Sequence, residues 1–151
     1  MLLLPPSTND QYRGARSAVV FLGLATVLTF VPGLIHSFLP DGGARVIAHL
    51  DLGDRAELVR GVFAWEGATQ LAWSGSMALV VWRYRTLTPA FLLLMILERG
   101  LMALDGWVVL PPSSGRHPPE HYASLVTVPL ALLFLVLSLR PRDRNAGASA
   151  A

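Results

Sequence analysis

The sequence predicts an all-α membrane protein, a polytopic bundle of four transmembrane helices with both termini in the cytoplasm. Hydrophobic residues make up 53% of the 151 residues, charged residues only 15%, and the mean hydropathy is +0.51. Soluble domains are typically about 45–50% apolar and about 25% charged. Four apolar segments each approach the roughly 20 residues that cross a bilayer, and arginines concentrate at one end of them.

The composition excludes several other classes of protein. All twelve basic residues are arginine, and they give a net charge of only +2. Binding of nucleic acid would require a clustered basic face, so we expect the lipid bilayer as a partner and no nucleic acid. The chain has no cysteine, which excludes disulfides, thiolate catalysis and cysteine-ligated metal clusters.

The four predicted spans leave no room for a second domain. The first and fourth spans contain no charged residue, whereas the second and third do. Residues 1–16 form a cytoplasmic N-terminal segment, and residues 140–151 form a cytoplasmic tail that we expect to be disordered. The spans cover about residues 17–39, 58–82, 89–110 and 122–139.

Helix-start and helix-stop residues bound the later spans. Asp54 is placed to cap the start of the second helix. Thr88-Pro89 predicts a capping residue followed by proline at the first position of the third helix. Pro118-Pro119 predicts the start of the fourth helix in a similar way. Pro111-Pro112 ends the third helix, because proline cannot continue a helix.

The orientation follows from an uneven distribution of arginine between the two ends of the spans. Arginines accumulate in the cytoplasmic loops of membrane proteins, so we expect the richer end, with both termini and the turn between spans two and three, in the cytoplasm. The poorer end holds four arginines, and Arg99 lies inside the third span. The richer end holds Arg13, Arg16, Arg83, Arg85, Arg140, Arg142 and Arg144.

Charged and polar residues inside the second and third spans form a candidate intramembrane cluster. An ionisable side chain in the membrane costs several kcal/mol unless it is paired or hydrated, and it marks a functional site by default. From the depths of the residues we expect two layers of ion pairs, one layer joining Arg60 to Asp105 and the other joining Glu66 to Arg99. The cluster comprises Arg60, Glu66, Gln70, Glu98, Arg99 and Asp105.

Two interpretations of this polar cluster remain open. The first is a set of salt bridges that fixes the register of the helices, since removing one partner of a buried pair leaves an uncompensated charge. The second is a pocket between helices two and three for a lipid headgroup, a quinone, an anion or a proton. We favour the first interpretation, because two arginines nearly balance the three carboxylates, and the one surplus carboxylate supports the second.

Small residues recur every four positions along the second span. Such residues allow two helices to approach closely in lipid. We favour an intramolecular seam with another helix of the same chain, and the alternative is a homodimer face. The predicted packing face consists of Gly61, Ala64, Ala68, Ala72 and Ser76.

The four histidines fall at the predicted outer end and are candidate ligands of zinc or copper. They are His36, His49, His117 and His121. The spacing of the last two is not a metal signature, because Pro118 and Pro119 disfavour a helical pair. We predict no cofactor, and a quinone, a haem or a metal stays open. No nucleophile-elbow, P-loop or dinucleotide motif is present, so we assign no catalytic residue.

A resemblance to a known family rests on the start of the second span. Residues 53–60, followed by Gly61, Glu66-Gly67 and Gln70, resemble the second-helix start of small bacterial DoxX-like membrane proteins and related four-span families. The similarity in hydropathy extends over about residues 17–139. It implies four helices with charged residues in the middle two, and some members are linked to quinone-coupled oxidation or to membrane complexes.

Three classes of function are compatible with this pattern. We favour a non-catalytic accessory or oligomeric component of the inner, cytoplasmic membrane, assembled as a homo-oligomer or within a larger complex. The first alternative is a binder or enzyme acting on a lipid or quinone at the polar cluster. The second alternative is a path for protons or small solutes through an oligomer.

Overall fold

The computed structural model describes residues 3–113 and 115–141, and within these ranges the chain is helical and has no strand. The prediction of an all-α fold is thus confirmed. Most of the predicted disordered tail, residues 142–151, lies outside the described residues.

Four long helices account for the fold. Three helical segments are long and apolar enough to cross a membrane: Arg16–Phe38, Arg85–Val109 and Pro119–Leu139. The remaining helix is the longest, with 28 residues, but its charged and small polar residues lower its hydropathy. The helices are α1 (Arg16–Phe38), α2 (Ala56–Arg83), α3 (Thr88–Leu104, continued by a π-helical turn over Asp105–Val109) and α4 (Pro119–Leu139). Short 3₁₀ turns cover Asn9–Gln11, Gly53–Arg55 and Arg85–Leu87.

Helices α1 and α2 form a closely packed antiparallel pair. The α2 face turned to α1 carries Gly67, and a methyl group added there would lie 2.5 Å from the Ser37 hydroxyl and 2.8 Å from the Gly33 carbonyl oxygen. Gly33 in turn faces the Leu71 side chain, with which an added methyl group would be in close contact. The two backbones therefore approach closely at this level because neither glycine has a side chain.

The hydrophobic core joins all four helices at the end of the bundle that holds the N-terminal segment. Aromatic pairs extend this core, with Phe21 stacked on Phe134 at 4.4 Å and Trp73 on Phe91 at 5.2 Å between ring centroids. Helix α1 packs mainly on α2 and α3 mainly on α4, so this core is where the two pairs are joined. Its buried residues are Ala18, Leu22, Met77, Val80, Leu92, Met95 and Ala131.

The N-terminal segment is bound to the turn between α2 and α3. The Thr8 amide donates to the Arg83 carbonyl oxygen at 3.0 Å, and the Asn9 side-chain amide donates to the Trp82 carbonyl oxygen at 2.7 Å. The Arg85 amide donates in return to Oδ1 of Asn9 at 3.3 Å. These bonds link residues more than seventy positions apart and fix the segment over this end of the bundle.

Asp41 organises the connection between α1 and α2. The backbone amides of Gly43, Arg45 and Val46 donate to its carboxylate at 2.9–3.0 Å. Hydrogen bonds to the charged form stabilise it, so these amides, that of Val46 first, lower the pKa of Asp41 below its ordinary value. The turn also buries Ala44 completely, which holds the connection against the helices.

Candidate functional site

The candidate site is a cavity of about 660 Å³ between α1, α3 and α4. It lies beyond the hydrophobic core, where the two helix pairs separate. Most of its lining is apolar and includes Leu24 and Leu28 of α1 with Val126 and Leu130 of α4. Ligand sites in proteins typically occupy about 300–1,000 Å³ and combine an apolar lining with few polar groups, and this cavity fits that description.

The charged side chains of the cavity come from two consecutive residues of α3. Arg99 Nε lies 3.9 Å from Oε2 of Glu98, and the exposed side-chain fractions are 15% for Arg99 and 35% for Glu98. Arg99 Nη1 also lies 3.8 Å from the Met102 sulfur, which is a weak acceptor. A guanidinium has five N–H donors. In the described structure most of the Arg99 donors bond to no protein acceptor and are available to a ligand in the cavity.

The prediction that Glu66 of α2 holds Arg99 is wrong. In the described part of the chain the ion pair of Arg99 is with its neighbour Glu98. The Glu66 carboxylate instead accepts a hydrogen bond at 3.2 Å from Nε2 of Gln70, one helical turn away. Two consecutive residues differ by about 100° around a helix, and the cavity is wide enough for α3 to present both of them to it.

The predicted second layer, Arg60 with Asp105, does not form in the described structure. Both residues are exposed, and no ion pair joins them. Helix α2 packs chiefly on α1 rather than on α3, so charges at matching depths on α2 and α3 are not brought into contact.

The predicted pocket between α2 and α3 is therefore displaced. Of the six residues of the predicted polar cluster, only Glu98 and Arg99 line the cavity, and α2 contributes Trp73. Nothing in the sequence pattern indicates that α1 and α4 complete the cavity.

The small residues of α2 do not form an intramolecular seam, which corrects the favoured interpretation. A methyl group added at Gly61 would meet no atom within 4 Å. The seam with α1 lies on the opposite face of α2, because α1 closes on Gly67 instead. Of the other members of the predicted face, Ala64 is half-buried, and Ala68, Ala72 and Ser76 are exposed.

Two of the four candidate metal ligands are in contact at the end of the bundle opposite the N-terminal segment. The Nδ1 atoms of His117 and His121 lie 3.0 Å apart, and Trp107 stacks on His117 with 3.8 Å between ring centroids. Gly106 makes room for His121, since an added methyl group would lie 2.5 Å from that ring. Sequence reasoning missed this pair because the extended backbone at Pro118 brings the rings together without a helical register.

The other two histidines lie apart from this pair. His36 is buried and packs edge-on against Phe63 at 5.0 Å, and its Nδ1 has no hydrogen-bond partner among the described residues. His49 lies in the connection between α1 and α2 with a left-handed backbone, at a φ of 53°. In residues 3–113 and 115–141, no three side chains of His, Cys, Asp or Glu are grouped as a metal site requires.

Comparison with known proteins yields no match to a protein-family model, to a curated protein or to a solved structure. The resemblance to DoxX-like proteins therefore stays a prediction.

Proposed function

We propose that the chain is a four-span protein of the cytoplasmic membrane that binds an amphipathic small molecule of the lipid or quinone class. The observation that supports this proposal is an apolar cavity of about 660 Å³ with Arg99 and Glu98 among its lining residues. An acidic or carbonyl group of the ligand would accept hydrogen bonds from the guanidinium, and the apolar part would lie along α1 and α4. No arrangement for catalysis is part of the proposal.

The packing of α2 supports four spans rather than three. Helix α2 runs antiparallel to α1 from Gly67, which faces Ser37, to Val81, which faces Gly23. Its 28 residues correspond to about 42 Å at about 1.5 Å per residue. A helix of this length that packs along a membrane-spanning partner shares the same depth of bilayer.

Labelling of single cysteines tests the orientation, since the chain has no cysteine of its own. Arg45 and Arg85 are both exposed and lie at opposite ends of the bundle. We expect a membrane-impermeant maleimide to label Arg45→Cys in intact cells and to label Arg85→Cys only after the membrane is opened. If only Arg85→Cys were labelled in intact cells, the orientation would be the opposite of the predicted one. If both variants were labelled, four spans would be contradicted.

Quenching of tryptophan fluorescence tests the cavity, because Trp73 lines it. The probes are dibromostearate, which has a carboxylate, and decylubiquinone, which has carbonyl groups. We expect at least one of them to quench the detergent-solubilised protein saturably, and we expect Trp73→Phe to remove most of this signal. Arg99→Gln should weaken binding of the same probe by about 10- to 100-fold, the value of a hydrogen bond to a charged group.

A pair of phenylalanine variants controls this experiment. Thr127→Phe introduces a ring into the cavity and should weaken binding, whereas Ala72→Phe lies on the exposed face of α2 and should not. Equal binding by the wild type and Thr127→Phe would contradict the assignment of the ligand to this cavity. Absence of saturable quenching by both probes would contradict the proposed function.

The second candidate function is a non-catalytic accessory or oligomeric role. The observation that favours it is the exposure of Ala68, Ala72 and Ser76 on α2, opposite the seam with α1. Native mass spectrometry of the protein in mild detergent tests this role, and we expect it to show a dimer or a stoichiometric partner protein. Ala68→Leu should dissociate that complex without changing the thermal stability of the monomer.

A further inference from the structure

A second cavity, of about 420 Å³, lies at the end of the bundle where the N-terminal segment meets α1 and the turn between α2 and α3. Three arginines line it, Arg13 and Arg16 from the chain start and Arg85 from the turn, together with the single carboxylate of Asp10. These residues are distant in sequence, and the fold brings them to one place.

Hydrogen bonds of the N-terminal segment to the rest of the bundle fix the shape of this cavity. Arg85 donates from its backbone amide to Asn9 and from Nε to the Val81 carbonyl oxygen at 3.1 Å. On the other side, the Tyr12 hydroxyl donates to the Ala15 carbonyl oxygen at 3.0 Å, and the Ala15 amide donates to Leu137 of α4 at 3.2 Å. The arginines are thus attached to a backbone that is fixed at both sides.

The cavity has a surplus of positive charge. Three guanidinium groups face one carboxylate, and in the described ranges no ion pair joins Asp10 to any of them. A guanidinium binds phosphate through two parallel hydrogen bonds, which makes arginine well suited to phosphate recognition. The group that this cavity would take is therefore a phosphate or another oxyanion of similar size.

The surroundings of the cavity indicate that the phosphate belongs to a lipid. Val19 and Val20 of the spanning helix α1 also line the cavity, and Val20 is 62% exposed on the side of the bundle. Arg16 begins α1, so the arginines lie at the depth where the apolar span ends and the headgroups of a bilayer begin. A free phosphate ion would gain nothing from the adjoining valines, whereas the acyl chains of a lipid would contact them.

We propose that this cavity binds the headgroup phosphate of an anionic phospholipid, with Arg13, Arg16 and Arg85 around the phosphate and the acyl chains along Val20. This phosphate site is separate from the cavity at Arg99, so a negative result at one site does not contradict binding at the other. It also differs from a diffuse attraction between a basic surface and a membrane, because a defined lipid would remain bound after extraction.

The test uses the full chain in mild detergent with phosphatidylglycerol and phosphatidylcholine as probes. We expect native mass spectrometry to show retained phosphatidylglycerol in preference to phosphatidylcholine. One arginine near an anionic headgroup contributes a factor of about five in affinity. The double variant Arg13→Gln with Arg16→Gln should therefore retain phosphatidylglycerol about 25- to 30-fold more weakly.

Arg45→Gln is the matched control, because Arg45 is an exposed arginine at the opposite end of the chain's fold, and it should retain the lipid as the wild type does. Arg13→Gln alone, in the exposed N-terminal segment, provides a milder variant if the double variant fails to fold, and it should weaken retention about fivefold. Equal retention by the folded variants and the wild type would overturn the proposal. Thermal protection by inorganic phosphate equal to that by the lipid would overturn the assignment to a lipid.

Discussion

Leu92→Ala is expected to lower the free energy of unfolding by about 2–5 kcal/mol, the range for a buried leucine in a well-packed core. Leu92 of α3 is fully buried among Leu22 of α1, Met77 of α2 and Ala131 of α4. Because this core is the principal junction between the two helix pairs, the cavity created there should loosen the whole bundle. Unfolding by increasing sodium dodecyl sulfate in mixed micelles, followed by circular dichroism, measures the change.

Leu94→Ala is the control for this prediction. Leu94 lies two residues further along α3 and is 45% exposed, so its removal deletes the same atoms from a position with fewer neighbours. We expect Leu94→Ala to cost less than about 1 kcal/mol, because little packing is lost there. Equal losses in the two variants would show that the core at Leu92 is not the junction between the helix pairs.

The positions of the helices could be read from the sequence because they depend on local properties. An apolar run of sufficient length defines a helix wherever it occurs in a membrane, and proline limits where that helix can begin or end. The structure accordingly has α1 over Arg16–Phe38 where the sequence predicts a span over 17–39, and α2 over Ala56–Arg83 where it predicts 58–82. The predicted caps are wrong, because α2 begins after Arg55 and α3 after Leu87, and neither start has a side-chain capping hydrogen bond.

The faces on which the helices pack could not be read in the same way. In a soluble protein an apolar stripe faces the core, but in lipid the buried and lipid-facing surfaces are both apolar. The stripe of small residues at Ala68 and Ala72 therefore looks like a seam, although the seam forms at Gly67. The choice between them depends on which face of α2 the connection that follows α1 turns towards α1, and this is a tertiary property.

The pairing of charges failed for a related reason. Depth along two antiparallel helices can be counted from the sequence, and it placed Glu66 level with Arg99. Contact also requires that the two helices face each other with these side chains between them. Since α2 turns chiefly towards α1, Glu66 bonds to Gln70, and Arg99 is left for Glu98 and the cavity.

Gly67→Ala is expected to destabilise the protein by about 1–3 kcal/mol, the cost of adding a methyl group to a well-packed position. The added methyl group would lie 2.7 Å from the Ser37 amide nitrogen and 2.8 Å from the Gly33 carbonyl oxygen. Both of these are backbone atoms of α1 and cannot rotate away as a side chain can. The helices α1 and α2 must therefore separate, and the same titration in mixed micelles measures the loss.

Gly75→Ala on the same helix makes this prediction specific. A methyl group added at Gly75 would meet no atom within 4 Å, and alanine has a higher helix propensity than glycine by about 1 kcal/mol. We expect Gly75→Ala to leave stability unchanged or to raise it slightly. A loss at Gly75 as large as that at Gly67 would mean that α1 packs on the opposite face of α2. The small-residue stripe would then be the seam inside one chain and would no longer be free for a second copy.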